Sequence, residues 1–219
     1  MRVEELNIGI LKLLKDDWGR VIALDMETHV QGPDKFLTDE RILSVSYARR
    51  VSGKFMEGKG ISVRTIFLDD ESDESEKELL IELDKELSYI KPLVVIGYGI
   101  RQYDIPLLVI KKERYGKRHN LILWRLVDTT ESAAVVDLYH LLKYKRYKKL
   151  EDVLTSQEFS RLPLRRTKQL VSRDREEKSK EIYVLWKEDK DTLREYAEGE
   201  VHDYLIIAEY LAFGGGYHG

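Results

Sequence analysis

Val21-Ile22-Ala23-Leu24-Asp25-Met26-Glu27-Thr28 decides the fold. Four unbroken apolar residues running into two acids read as a buried strand whose C-terminal end leaves the core. Side chains two apart on a strand share a face, so Asp25 and Glu27 bring two carboxylates to one spot. Like charges that close repel unless a divalent cation lies between them, and oxygen-only ligands suit Mg²⁺ or Mn²⁺. Taken alone, the pair is also what a solvated strand end looks like in an acidic chain.

Outward from that strand the pattern alternates. Residues 6–14 have helical spacing and stop at Gly19. Residues 42–48 and 61–68 are β-rich, with Gly53, Gly58 and Gly60 between them as a hairpin signal. An acidic run from Asp69 feeds a helix through Leu79, Leu80, Leu83, Leu87 and Ile90, with Ser75 and Glu78 spaced as a capping box. Residues 93–97 form a second buried run. A helix opens near Asp104, with Pro106 in its first turn. Val135-Val136 is a last strand, and residues 150–154, 176–186 and 191–212 read as helices. Early strands interleaved with helices, then helices alone, predict one α/β domain over residues 1–219. Its mixed central sheet has about five strands flanked by helices. The core is expected over about 20–212, with 214–219 a flexible Gly-rich tail.

Composition sets limits. The 219 residues contain no Cys, which removes disulfides, thiolate nucleophiles and Cys-ligated metals. No apolar run is long enough for a membrane span, and the N-terminal segment lacks a signal-peptide core, so a cytoplasmic protein is expected. Charged residues make up 35% of the chain, against an average near 25%, with few Asn and Gln; this is the habit of hot-growing organisms. Net charge is −3, yet it is unevenly spread. Residues 1–100 hold 14 Lys and Arg against 20 Asp and Glu, 101–180 hold 20 against 11, and 181–219 hold 3 against 9. The middle could face a polyanion while the ends keep acids for another purpose.

Two further places offer acids. Asp104 follows the second buried run at the start of a helix, where the dipole favours a carboxylate; on its own it reads as an N-cap. Tyr196, Glu200 and Asp203 share one stripe of the last helix, beside an apolar stripe of Leu193, Ala197, Val201, Leu205 and Ala208. The acids are therefore expected at the edge of the buried face, and His202 at the surface. Together these positions meet the needs of a two-metal phosphodiesterase. It requires at least three carboxylates around two ions that clamp the attacking and leaving oxygens, and a hydroxyl near the attacking water.

At this point the residues resemble a known family. The chain is similar to the DEDD superfamily of 3′–5′ exonucleases on a ribonuclease-H-like fold. Within it the chain most resembles the tyrosine subclass, which includes the proofreading exonuclease domains of family-B DNA polymerases. Residues 21–28 match the first motif, 95–108 the second and 196–201 the third, in order and spacing, from about residue 20 to 212. Asp137-Leu138-Tyr139-His140 resembles the segment between motifs two and three. The resemblance implies a catalytic set of Asp25, Glu27, Asp104, Tyr196 and Glu200. Asp25 would bridge two Mg²⁺ or Mn²⁺ ions, with Glu27 and Glu200 on the first. Asp104 would help hold the second through water, and Tyr196 would position the nucleophilic water. Two residues depart from the pattern. Gly99 stands where Asn is usual, and Glu200 where Asp is usual; Asp203 is a rival ligand, although its spacing from Tyr196 does not fit the family.

Lys143-Tyr144-Lys145-Arg146-Tyr147-Lys148-Lys149 interleaves cations with rings, as a contact to single-stranded nucleic acid would; a solvated basic loop has the same composition. Arg161, Arg165, Arg166, Lys168, Arg173 and Arg175 form a second basic segment. Gly97-Tyr98-Gly99 hints at a dinucleotide fingerprint, but Gln102 occupies the third glycine position. The expected function is metal-dependent 3′–5′ exonuclease action on single-stranded DNA. With no room for a polymerase, any proofreading would act in trans, alongside a replication or repair protein, and no oligomeric state is implied. The rivals are an exonuclease-like binding module for nucleic acid or a partner protein, weakened at Gly99 and Glu200, and an RNA 3′–5′ exonuclease.

Overall fold

In the computed structural model, which describes residues 3–30, 37, 39–115, 135–144, 147, 149–172 and 175–214, the opening stretch forms the middle strand of a sheet. The strands are β1 (Val21–Val30), β2 (Glu40–Arg50), β3 (Ile61–Phe67), β4 (Val94–Gly97) and β5 (Val135–Asp137), in spatial order β3-β2-β1-β4-β5. β1–β2 and β2–β3 pair antiparallel, while β1–β4 and β4–β5 pair parallel, so the sheet is mixed as expected. The short apolar runs of β4 and β5 are buried throughout, which is how strands covered on both faces read. The β2–β3 connection uses Gly53 and Gly60 at φ of 79° and 75°, a region other residues enter at a cost.

The helices are α1 (Val3–Leu13), α2 (Asp73–Ile90), α3 (Asp104–Tyr115), α4 (Leu138–Tyr144), α5 (Leu150–Thr155), α6 (Arg175–Glu188) and α7 (Lys190–Glu209). Short 3₁₀ turns occupy Lys15–Arg20 and Thr167–Leu170, and α7 runs into a wider π-type turn at Tyr210–Gly214. Beyond Gly214 the expected tail lies outside the described residues. The capping expectation for α2 was three residues late. Ser72 is the N-cap and accepts from the Ser75 N–H, while the Ser75 hydroxyl accepts from the N–H groups of Asp69 and Asp70.

Strand alternation divides the core. Ile22, Leu24 and Met26 pack to one side with Leu83, Leu87, Leu107 and Ile182. Val21 and Ala23 pack to the other with Val201, Leu205 and Leu141, and that second core takes in Ile8 and Leu11, ahead of residue 20. Asp25 and Glu27 continue the Val21–Ala23 series, so the period of two turns both acids toward α7. The ladder between β1 and β2 slips by one residue just after Glu27, where Glu27 faces Ser44 but Thr28 faces Ile42. Such a bulge bends the strand at the place where its acids leave the core.

α7 departs from expectation. It is not an amphipathic surface helix with acids at its edge: Tyr196, Ala197 and every residue from Gly199 to Glu209 are buried. The helix packs across β1, β2 and β3. His202, expected at the surface, is 3% exposed and shares a hydrogen bond with Asp203. Among the described residues no helix is long and apolar enough to cross a membrane.

Candidate functional site

β1 and α7 bring three of the expected acids together. Asp25, Glu27 and Glu200 each offer an oxygen atom within 4.8 Å of the others. Two Mg–O bonds in line span about 4.2 Å, so a small closure would seat one ion on all three. Asp104, the first residue of α3, stands outside that trio but borders the same cavity and acts on Asp25 and Glu27 electrostatically. The cavity measures about 330 Å³ and opens between Asp25, Asp104, Tyr98, Tyr103, Lys168 and Lys178.

The electrostatics are those of acids short of positive charge. Burial, then Glu200, Glu27 and Asp104, push the Asp25 carboxyl well above its ordinary range. Burial also raises Asp104, to about 7, with Glu27 adding to the shift despite the helix N–H that opposes it. Burial would raise Glu200 too, but Lys168 and Lys178 outweigh it and hold that carboxyl at about 2. The Tyr196 hydroxyl, buried and surrounded by Glu200, Glu27 and Asp25, is pushed up and stays a proton donor.

Two lysines complete the site: Lys168, expected only as one member of a basic segment, and Lys178, which the sequence did not single out. Lys168 pairs closely with Glu200 Oε1, and its Nζ lies 3.5 Å from the Tyr196 hydroxyl. Lys178, from α6, stands 3.2 Å from Glu27 Oε2 and 4.0 Å from Glu200 Oε2. Burial works against its charge, but Glu27, Glu200 and Asp25 outweigh that and keep the ammonium protonated. Tyr204, one turn beyond Glu200, also escaped notice; its hydroxyl donates to Glu200 Oε1 at 3.2 Å. Oε1 thus has two donors, while the buried Oε2 has no hydrogen-bond partner. An orphaned, buried carboxylate oxygen beside two other acids is what a cation would satisfy, so the three acids could hold a metal ion.

The rival ligand Asp203 is engaged elsewhere. It accepts from the N–H groups of Arg165 (2.7 Å) and Arg166 (2.9 Å) and bonds His202. Next to it, the Thr167 hydroxyl donates to the Tyr196 carbonyl at 3.0 Å, and a Cβ on Gly199 would lie 2.0 Å from that hydroxyl oxygen. Asp203 and Gly199 therefore dock the 164–168 segment on α7 and deliver Lys168 to Glu200. Asp137 does similar work across the sheet, accepting from the N–H groups of Gly99, Arg101 and Tyr139. Gly99 sits at φ of 71°.

Of the basic stretch 143–149, Lys143 is exposed at the end of α4, 5.5 Å from the Tyr139 ring, which meets the cavity-lining Tyr98 edge-on. Tyr147 gives its hydroxyl to Glu158 and packs on Phe159. The Lys149 N–H bonds Asp152 at the start of α5. Lys145, Arg146, Lys148 and the side chain of Tyr144 lie outside the described residues. In the second basic segment Arg166 is turned inward, donating to the carbonyls of Leu154 and Leu164, so it braces the loop.

No family model matches the chain, and no curated protein matches it. Among solved structures it is similar to the family B DNA polymerase from the hyperthermophilic archaeon Pyrobaculum calidifontis, with a TM-score of 0.56 and 16% sequence identity. The likeness covers 87% of this chain and 24% of the polymerase chain. At that identity what is shared is the fold: an α/β, ribonuclease-H-like arrangement of a mixed five-stranded sheet flanked by helices.

Proposed function

We propose that the chain is a divalent-metal-dependent 3′–5′ exonuclease acting on single-stranded DNA. The observation that carries this reading is the convergence of Asp25, Glu27 and Glu200 within 4.8 Å, with one buried Glu200 oxygen left without a donor. Three hard oxygen ligands on a strand end and a central helix suit Mg²⁺ or Mn²⁺, with Asp104 available to a second ion through water. When bound, such ions supply charge stabilisation to a phosphodiester under attack.

The chain's own groups supply the rest. The Tyr196 hydroxyl, protonated and one turn from Glu200, would orient the attacking water. Lys168 and Lys178 face the same space and would meet phosphate oxygens. Tyr98 and the partly exposed Tyr103 line the cavity as surfaces for a terminal base. Lys143, reached from the cavity through Tyr98 and Tyr139, would follow the strand outward. DNA is favoured because the similar fold belongs to a DNA polymerase, and the 3′–5′ direction follows the motif resemblance.

The test is degradation of a 5′-labelled single-stranded DNA oligonucleotide with Mg²⁺, with Mn²⁺ and with EDTA, beside Asp25→Ala. A ladder shortening from the 3′ end, dependent on metal and lost in the variant, is expected; faster loss of an RNA oligonucleotide would reassign the substrate. A second reading, a nucleic-acid-binding module, draws on the lysines already paired with Glu27 and Glu200. It predicts a salt-sensitive gel shift and no cleavage with either ion.

A further inference from the structure

We propose that Lys178 is a built-in counter-ion that holds the Glu27–Glu200 position against a divalent cation and yields it when a phosphate group enters the cavity. The inference rests on the metal reading above. Lys178 comes from α6, which contributes none of the three acids, yet its Nζ lies 3.2 and 3.5 Å from the two Glu27 oxygens and 4.0 Å from Glu200 Oε2. These are two of the three carboxylates that would share an ion, and Oε2 is the atom left without a hydrogen bond. A divalent ion bonded to those oxygens at about 2.1 Å would stand within a few ångströms of the ammonium, so the two cations exclude each other there.

The side chain also has a way out. Lys178 keeps 29% of its side chain exposed and lines the cavity, and a four-carbon stem lets its ammonium move while α6 stays docked. On leaving, the ammonium exchanges two carboxylates for water, unless an anion sits in the cavity to receive it. A phosphate in that space would offer a partner to Lys178 and, at the same time, further oxygens to the ion. Metal and phosphate should therefore each strengthen binding of the other, because linkage makes the coupling reciprocal. Lys168 differs: it holds Oε1, the oxygen that Tyr204 already satisfies, and the Asp203–Thr167 clamp fixes its segment.

The experiment is calorimetric titration of Mn²⁺ into the wild-type chain, Lys178→Met and Lys178→Arg, each with and without thymidine 5′-monophosphate. Removing the competing charge in Lys178→Met should tighten Mn²⁺ binding about tenfold without nucleotide, and the tightening the nucleotide gives should be smaller than in the wild type, reduced to what direct contact between phosphate and ion supplies. Lys178→Arg, which keeps a cation at this place, should behave as the wild type does. Thermal melts in EDTA confirm that each variant is folded, and Mn²⁺ should raise the melting temperature of Lys178→Met more than that of the wild type. Equal Mn²⁺ affinity in wild type and Lys178→Met, or weaker binding in the variant, overturns the proposal while the metal reading stands. No Mn²⁺ binding in any of the three overturns both.

Discussion

Two glutamates of α7, nine residues apart and both buried, live in opposite chemical conditions. Glu209 is saturated: it accepts from Arg50 Nε and Nη2 (2.5 and 2.7 Å), from Trp18 Nε1 (3.0 Å) and from the Met56 N–H (2.6 Å). Glu76 on α2 is similar, taking the Ile42 N–H, Arg41, Lys111 and the Tyr115 hydroxyl. Glu200 has donors on one oxygen and none on the other, with two more acids across the gap. A buried carboxylate whose donors are complete ties elements together. One with an oxygen left without a hydrogen bond and like-charged neighbours is built for something the chain does not itself provide.

The same substitution at both positions breaks or confirms that contrast. Glu200→Gln should lower oligonucleotide hydrolysis on the order of 10³-fold, because a ligand worth several kcal/mol to the reacting charge is lost. Its unfolding free energy in EDTA should fall, but less than for Glu209→Gln, because relief of the repulsion with Asp25 and Glu27 offsets part of the lost pairing and Lys168 and Lys178 both reach solvent. Glu209→Gln should do the reverse. It leaves the buried Arg50 guanidinium short of its partner at a cost of about 3–5 kcal/mol, read by denaturant unfolding. What remains folded should cleave at the wild-type rate. Equal stability losses at the two positions would erase the distinction.

The pH response sharpens it. Asp104 takes up its proton near 7 in the fold but near 3.8 when unfolded. A group raised in this way lends stability that is complete below about pH 4 and is lost as pH climbs through 7. Asp25 is displaced in the same direction. In EDTA the melting temperature should fall between pH 5 and 8, by about 2–4 °C for each kcal/mol lost. Asp104→Asn should flatten the fall. With Mn²⁺ present the trend should reverse, because protons and the ion compete for the same oxygens.

Much of this was legible in residue order, for reasons of period. The run 21–27 yields a strand and two acids on one face because side chains alternate, and Tyr196 with Glu200 lies on one helical stripe because four residues make about a turn. The lysines were not legible. Lys168 sits in a basic segment whose composition suits nucleic-acid contact and a solvated surface equally, and Lys178 in a highly charged helix with nothing in its spacing to set it apart. What carries Lys168 inward is tertiary: Asp203 capturing two N–H groups, and Thr167 lying against Gly199. One signal was present. A glycine inside a helix and between two glutamates is costly, and it marks a close approach. Gly199→Ala would place a Cβ 2.0 Å from Thr167 Oγ1, pushing the 164–168 segment off α7. Overpacking of this kind should cost about 1–3 kcal/mol, and loosening Lys168 should slow hydrolysis several-fold more than the stability loss accounts for.

The smallest effect is expected at Gly99, and it tests how far the cavity is tuned for substrate. Gly99 holds φ of 71°, and its N–H is tied to Asp137 Oδ1 at 2.9 Å. A Cβ there would meet the Tyr103 ring edge at 3.4 Å, ordinary contact. Asn is among the residues that enter this region most readily, because its short side chain bonds locally. Gly99→Asn should therefore keep the fold within about 1 kcal/mol and keep the Asp137 clamp intact. It would add an amide beside the cavity-lining Tyr98 and Tyr103, where a terminal nucleotide would lie. Binding of a single-stranded oligonucleotide to Asp25→Ala, measured by fluorescence anisotropy, should tighten about two- to tenfold when Gly99→Asn is added, the worth of one new hydrogen bond. Unchanged affinity would mean that the strand end does not lie against this loop, and that Lys168 and Lys178 grip it from the α6 side instead.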